Sequence, residues 1–87
     1  MNICILCGKI ISEIEYKFII NSKNKAIGQF EIELSNKSII KVQAFDEIAD
    51  YVYKEFRNGD IVIIDGELSK NKVIINRPIV IIGKENN

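Results

Sequence analysis

The clearest pattern in the chain is the alternation of side-chain types from Ile39 to Phe45. A period of two is typical of a β-strand, because successive side chains point to opposite faces of a sheet. The row predicted to face the core consists of Ile40, Val42 and Ala44. The opposite row consists of Ile39, Lys41, Gln43 and Phe45. One face is therefore expected to be core, and the other combines apolar groups with a cation and an amide.

The position of Phe45 on the second row has two interpretations. An aromatic ring that faces solvent beside Lys41 is unfavourably hydrated unless something covers it, and a stacked base with its phosphate is one natural cover. The alternative is that Phe45 folds beneath the element that follows it. The pattern alone leaves both interpretations open.

Two apolar runs, residues 3–11 and 14–20, precede this segment and are separated by a short polar break. We expect them to form one long strand that bends near Gly8 and again near Ser12, since glycine and polar breaks mark bulges and bends in strands. A polar, turn-forming stretch follows at residues 21–25.

A second half-buried strand is predicted at residues 27–34, which alternate between apolar and polar side chains. The apolar face carries Phe30, Ile32 and Leu34, and the polar face carries Gln29, Glu31 and Glu33. Only residues 35–38 connect this strand to the next one. So short a link predicts a tight hairpin and antiparallel pairing.

Helical spacing replaces the alternation after Phe45. The apolar residues that recur every three or four positions are Ile48, Ala49, Val52 and Phe56. Asp46 offers an oxygen to cap the first turn, and Asn58-Gly59 supplies a left-handed stop. A helix of about ten residues is expected here.

Two more strands complete the pattern, at residues 61–68 and 73–82. Pro78 lies inside the last one, and because proline cannot donate to the ladder we expect an edge or a bulge there. Five strands with one helix between the third and fourth predict an all-β chain with the architecture of an OB-fold barrel. The ligand surface of that fold is the face of strands two and three, flanked by the first and fourth loops.

Composition sets the limits of this picture. The 87 residues, 47% of them apolar, suffice for one compact domain, which we place at residues 1–83, with a short polar end at 84–87. No apolar run approaches the roughly 20 residues of a membrane span, and the first residues lack the features of a signal peptide. We therefore expect a cytoplasmic protein without membrane contact.

The formal charge of zero hides an uneven distribution. Residues 1–25 carry four basic and two acidic side chains, 26–69 carry four and nine, and 70–87 carry four and one. The basic side chains predicted to lie in the first and fourth loops are Lys23, Lys25, Lys70 and Lys72. The helix carries Asp46, Glu47, Asp50 and Glu55, and we expect it to face away from any polyanion.

Candidate catalytic and metal-binding chemistry is sparse. Cys4 and Cys7 have C-x-x-C spacing, but without a histidine or further cysteine they cannot complete a tetrahedral zinc site in one chain. On a strand they point to opposite faces, which also argues against a disulfide. No histidine-based triad or glycine-rich phosphate loop is present. We expect no enzyme activity, no cofactor and no metal, and assign Tyr51 and Tyr53 to the helix surface or a subunit contact.

Several motifs in order resemble the bacterial single-stranded DNA-binding protein family. They are residues 2–10, ending in Gly8-Lys9-Ile10; residues 13–16; residues 30–34; residues 42–45 followed by Ile48-Ala49; and residues 56–68, ending in the signature Asp65-Gly66-Glu67-Leu68.

The resemblance implies largely sequence-independent binding of single-stranded DNA, with RNA left open, by base stacking and phosphate contacts. Phe45 matches a base-stacking aromatic, Lys41 a basic contact on the same face, and Lys9 the polar position after the glycine. The candidate binding residues are Lys41, Phe45, Ile39, Gln43, Lys9, Tyr16, Lys23, Lys25, Lys70 and Lys72. The resemblance also implies pairing of exposed strands, and the apolar first strand favours a homodimer or homotetramer.

Departures from the family leave a second hypothesis open. Tryptophan is absent, Ile39 stands where an aromatic is common, and Glu31 and Glu33 are expected to share a face with Lys41. The family's flexible tail with an acidic tip has no counterpart in residues 83–87, so we expect no recruitment of replication proteins through it. The alternative function is a protein-interaction or oligomerisation module, in which Ile39 and Phe45 dock a partner chain.

Overall fold

The computed structural model describes residues 3–20 and 26–83, apart from the side chains of residues 78–82. Six strands and one helix lie in these ranges: β1 (Cys4–Ile10), β2 (Glu15–Phe18), β3 (Ala26–Glu33), β4 (Ile39–Phe45), α1 (Asp46–Glu55), β5 (Ile61–Ser69) and β6 (Lys72–Gly83). Among the described residues, no helix has the length and apolar character needed to cross a membrane.

The strands form one sheet in the order β1-β5-β6-β4-β3-β2, and an additional pairing of β1 with β3 closes it into a barrel. The β4–β6 pairing is parallel, whereas the other pairings are antiparallel. The helix lies between β4 and β5. If β1 and β2 are counted as one interrupted strand, this is the five-stranded OB-fold barrel that the sequence predicted.

The prediction of a single bent strand at the start of the chain was wrong in one respect, because the strand is broken at the second bend. β1 ends before Ser12 and β2 begins after it, although both pair with β3. The Ser12 hydroxyl accepts the backbone N–H of Glu31 at 2.9 Å. Since this side chain satisfies a donor of β3, the ladder is interrupted where the chain turns across the barrel.

The hydrophobic core lies between the inner face of the sheet and α1. Burial alternates strictly along β3, as its sequence pattern predicted. Phe30 of β3 is 2% exposed, and its ring meets that of Phe56 edge to face with centroids 5.7 Å apart. Ala49 and Val52 are the fully buried residues of the helix. The apolar side of the helix therefore packs against the core of the barrel.

Both ends of the predicted helix need correction. Phe45, not Asp46, is the N-cap residue, and no side chain caps the first turn. The Asp46 carboxylate instead accepts the backbone N–H of Ala26 at 3.1 Å, which ties the start of the helix to β3. The helix ends at Glu55, and Gly59, with φ 99°, supplies a left-handed turn further along the chain.

The β3–β4 hairpin and the irregularity at Pro78 follow the predictions. Between β3 and β4, the N–H of Leu34 donates to the carbonyl of Ser38 at 2.9 Å, and the turn is tight and antiparallel. Between β5 and β6, the register shifts where Ile64 pairs with Pro78, which confirms the predicted bulge at the proline.

Gly8 lies where β1 crosses β3. A Cβ added to it would lie 2.9 Å from the carbonyl oxygen of Glu33 and 3.3 Å from the side chain of Ile32. Glycine is therefore required by the close approach of the two strands, which places Lys9 opposite Glu33.

Candidate nucleic-acid interface

The outward side chains of β3 and β4 form a continuous surface, which we name the β3–β4 face. Its members are Ile27, Gln29, Glu31, Glu33, Ile39, Lys41, Gln43 and Phe45. The antiparallel register sets them in four cross-strand pairs: Glu33 with Ile39, Glu31 with Lys41, Gln29 with Gln43, and Ile27 with Phe45. The predicted alternation of β4 is confirmed, since Val42 and Ala44 are fully buried on its other side.

An amide ladder crosses the middle of the β3–β4 face. The Gln43 amide Nε2 donates to Gln29 Oε1 at 3.1 Å, and the Gln29 amide Nε2 donates to Glu15 Oε1 at 2.8 Å. The ladder thus spans β4, β3 and β2, and it fixes the orientation of both amides. The sequence pointed to Gln43 alone, because the pairing that adds Glu15 joins residues 14 positions apart.

A charged row lies beside this ladder. Lys41 is exposed and lies opposite Glu31 on one side, while the parallel β4–β6 pairing places Lys72 on its other side. A cleft of about 280 Å³ opens next to Lys41, and its lining consists of Ser12, Glu13, Glu15, Gln29, Phe30, Glu31 and Lys41. Positive charge is therefore concentrated towards β6, and carboxylates towards the turn between β1 and β2.

A third row contains the aromatic candidate. Phe45 is half-buried and pairs with Ile27, which in turn pairs with the exposed Lys17 of β2. The ring thus belongs to the outward row but is not fully open to solvent. The sequence alone does not single out Lys17, because its place beside this row depends on the register of β2 against β3.

The remaining described candidates lie at the edges of the face. Ile39 is 56% exposed and lies opposite Glu33, which is also the partner of Lys9 on β1. Lys70 is exposed in the β5–β6 turn with φ 56°. Lys23 and Lys25 lie outside the described residues.

Tyr16 is the one described candidate that the structure does not bring to this face. In β2 the side chains of Glu15 and Lys17 lie on the outward side, so the intervening Tyr16 points towards α1. Its hydroxyl donates to the Asp50 carboxylate, and its ring lies 4.9 Å from that of Tyr53. The hydrogen bond to Asp50, with smaller contributions from burial and the charges of Asp50 and Asp46, raises the pKa of Tyr16 above its ordinary value of 10.0.

The cysteines and acidic groups show no metal chemistry in the described part of the chain. Cys4 is half-buried, Cys7 is exposed, and both are free thiols on opposite sides of β1. In residues 3–20 and 26–83, no group of three or more His, Cys, Asp or Glu side chains could hold a metal ion. The surface can therefore offer hydrogen bonds, apolar contact and positive charge to a ligand.

Comparison with known proteins gives a result for structure but not for sequence. No protein-family model matches the sequence, and no curated protein matches it. Among solved structures, the SSB domain of a Synechococcus sp. protein superposes with a TM-score of 0.78 at 18% identity, covering 88% of this chain and 92% of that one.

Two further structures agree. The small single-stranded DNA-binding protein from Streptomyces coelicolor matches with a TM-score of 0.69 at 14% identity, covering 94% of this chain and 91% of that one. The wild-type single-stranded DNA binding protein from Thermus aquaticus matches with 0.72 at 18% identity, covering all of this chain and 42% of that one. The chain therefore has the OB fold of single-stranded DNA-binding domains, as its sequence motifs predicted.

Proposed function

We propose that this protein binds single-stranded nucleic acid, DNA in the first place, on the β3–β4 face. The observation that carries the proposal is the adjacency of Lys41 and Lys72 on the outward face of an OB barrel, one row of side chains away from the amide ladder and two from Phe45. Support also comes from the two compared proteins that are named as single-stranded DNA-binding proteins. The histidine-free sequence and the open face suit binding rather than catalysis.

Each row of the face has a role in this proposal. Phe45 stacks a base, and Ile39 supplies apolar contact at the other end of β4. Lys41 and Lys72 meet the phosphates, with Lys70 and Lys9 at the margins, while Gln43 offers its remaining amide hydrogen-bonding capacity to bases. Lys23 and Lys25 remain predictions for the same backbone contacts.

The structure also sets an expectation of modest affinity. Glu31 lies directly opposite Lys41, and Glu33 lies opposite Lys9, so two of the cations face carboxylates across the strands. A phosphate must compete with these carboxylates for the lysines. Few aromatics lie on the face, and each missing stacking partner forgoes about 1–3 kcal/mol per base. The contacts we propose do not read the 2′-hydroxyl, so RNA is expected to bind as well.

The test is a titration of a fluorescein-labelled thymine oligonucleotide followed by anisotropy, at low salt and then at several salt concentrations. We expect affinity to fall with salt by about 0.7 log units per log unit of salt for each phosphate engaged. An RNA oligonucleotide of uracil gives the comparison with RNA. Absence of binding at tens of micromolar protein in low salt would overturn the proposal.

A second candidate function, self-association, has its own observation. β1 pairs with β5 along Cys4–Lys9, but with β3 only at Lys9 and Ile10, so within the described residues one edge of its first half is unpaired. Ile3 and Ile5 are 58% and 66% exposed beside that edge. An exposed apolar edge strand is a template for pairing with another chain. Sedimentation equilibrium of the protein and an Ile5→Lys variant tests this, since a homodimer or homotetramer formed there dissociates in the variant.

A further inference from the structure

Three aromatic rings form an exposed cluster on the side of β2 turned towards the helix. Tyr16 and Phe18 of β2 meet edge to face with centroids 5.4 Å apart, and Tyr16 also lies against Tyr53 of α1 at 4.9 Å. Phe18 is 72% exposed and Tyr53 is 53% exposed. We name these three residues the aromatic patch. It uses none of the outward side chains of the β3–β4 face.

The patch is anchored through its central ring. Tyr16, its central ring, is half-buried, and its hydroxyl is bound to the Asp50 carboxylate on the helix. The outer rings of Phe18 and Tyr53 both rest on it. A surface whose rings are already placed loses little side-chain freedom when a ligand docks, and this preorganisation favours binding. Exposed aromatics in such an arrangement are typical of interface anchors.

A cleft continues the patch past Tyr53. It has a volume of about 290 Å³, and its lining consists of Glu13, Ile14, Tyr53, Phe56, Arg57 and Asn58. The guanidinium of Arg57 donates to the carbonyl oxygens of Tyr53 and Phe56, at 3.2 and 2.8 Å. Asn58 donates to Glu13 at 3.2 Å across the rim. The cleft thus combines the apolar side chains of Ile14 and Tyr53 with a bonded polar rim, and it has room for one bulky side chain.

The charge around the patch selects the type of partner. The helix carries four carboxylates and one lysine, Lys54, and the cleft adds Glu13 and Arg57, so carboxylates outnumber basic side chains around the patch. Glu47 and Asp50 are exposed, and Asp50 lies against the patch itself. The negative potential of Asp50 and Asp46 also contributes to the raised pKa of Tyr16. Such a potential repels phosphates and attracts cationic side chains, which also bind the faces of aromatic rings.

We propose that the aromatic patch and its cleft dock a basic peptide segment of a partner protein. Arginine or lysine side chains of the segment lie over Phe18 and Tyr53 and beside Asp50, and one apolar side chain enters the cleft. Since the patch and the β3–β4 face lie on opposite sides of β2, the peptide and a nucleic acid can be bound at the same time. The proposal does not depend on the nucleic-acid function, and its test reports on a different surface.

The test uses a labelled short peptide of arginine and lysine with one tryptophan, followed by anisotropy against the whole protein. A matched peptide in which glutamate replaces each basic residue is the control. We expect the basic peptide alone to bind, and Phe18→Ser and Tyr53→Ser each to weaken it by at least about tenfold, an effect of the size of an interface anchor. Tyr51→Ser changes the same residue type on the same helix, 43% exposed, and should retain binding.

Other outcomes overturn the proposal. Failure of the basic peptide to bind, equal binding of the acidic peptide, or equal losses in Tyr51→Ser would each exclude this surface as a basic-peptide site. Loss of thymine-oligonucleotide binding in Phe18→Ser, measured without the peptide, would assign the patch to nucleic acid. Loss of self-association in Phe18→Ser would make a second copy of the chain the occupant. Circular dichroism of each variant verifies folding. Asp50→Asn keeps an acceptor oxygen but removes the charge, so it should weaken binding of the peptide without unfolding the protein.

Discussion

The two faces of β2 contribute to surfaces of opposite character. Its outward residues, Glu15 and Lys17, extend the β3–β4 face, where carboxylates and lysines lie opposite each other across the strands. Its inward residues, Tyr16 and Phe18, build the aromatic patch against an acidic helix. The net charge of zero therefore conceals one surface on which lysines and carboxylates lie opposite each other and another on which carboxylates outnumber basic side chains. Partner chemistry has to be inferred surface by surface rather than from the total charge.

The comparison also separates two kinds of exposed apolar group. On the β3–β4 face, Ile39 and Phe45 are spaced along one strand among polar neighbours, an arrangement that suits successive contacts along an extended ligand. In the aromatic patch the rings touch one another, which suits a compact anchor. β3 supports both surfaces, because it pairs with β2 and the inner face of β3 packs against α1.

The largest expected effect comes from removing that shared support. Phe30 is 2% exposed and contacts the ring of Phe56. We expect Phe30→Ala to lower the free energy of unfolding by about 3–5 kcal/mol, because it leaves a cavity between sheet and helix. Urea unfolding followed by circular dichroism measures the change. Ile39→Ala, at an exposed position, should stay within about 0.5 kcal/mol. In Phe30→Ala, a loss below about 1 kcal/mol would contradict the role of Phe30 as a packing contact between sheet and helix.

The next largest effect concerns oligonucleotide affinity, and it shows which of the two surfaces uses an aromatic residue to bind nucleic acid. We expect Phe45→Ala to cost about 1–3 kcal/mol of oligonucleotide binding, which is about 5- to 150-fold in affinity, because a stacking partner is lost. Phe45→Leu keeps an apolar side chain at this half-buried position and should show most of the same loss, since an aliphatic side chain cannot stack. Anisotropy measures both. If both variants kept their oligonucleotide affinity and Phe18→Ser lost affinity instead, the aromatic patch would be the nucleic-acid site.

Local periodicity accounts for what the sequence predicted well. The outward row of β4 depends only on alternation within seven residues, and the helix depends on spacings of three and four. Tertiary contacts account for the misses. The predicted cap residue Asp46 bonds Ala26, 20 positions away, and no local rule finds that partner.

The same reasoning applies to the candidate site. Lys41 and Gln43 could be chosen from alternation alone, but the position of Lys72 beside Lys41 follows from a parallel pairing between distant strands. Tyr16 is one of the candidate binding residues, and it belongs to the motif at residues 13–16. Its side chain instead meets Asp50, 34 positions away, on the helix. When the partner of a residue lies this far along the chain, a local sequence pattern does not determine which surface the residue belongs to.

A smaller effect tests the phosphate contact of the charged row. Lys41→Gln should reduce the slope of log affinity against log salt by about 0.7, the contribution of one phosphate on a single strand. Lys54→Gln removes the same charge from an exposed position on the helix and should leave the slope unchanged. Anisotropy at four or more salt concentrations gives both slopes. Equal reductions would show that long-range attraction, rather than contact at the β3–β4 face, determines affinity.

A related change should strengthen binding. Glu31 lies directly opposite Lys41, so a phosphate that approaches the lysine displaces this partner and meets a negative charge. Glu31→Gln removes that competition, and we expect affinity to rise by about 1.4- to 5-fold, the equivalent of a cross-strand pair worth about 0.2–1 kcal/mol. Glu47→Gln, on the helix, is the control for the same change in net charge. An equal rise in both variants would contradict a local role for Glu31.

The smallest expected effect concerns the patch alone and appears only at high pH. Because the pKa of Tyr16 is raised above its ordinary value of 10.0, chiefly by its hydrogen bond to Asp50, the folded protein holds this proton more tightly than the unfolded chain does. The corresponding stabilisation is fully present below pH 10 and is lost as pH rises through the higher folded pKa. Urea midpoints of the wild type and Tyr16→Phe should therefore stay apart up to about pH 10 and converge as the pH is raised further. A difference that stays constant as the pH is raised above that value would show that the hydrogen bond contributes nothing to the placement of the ring.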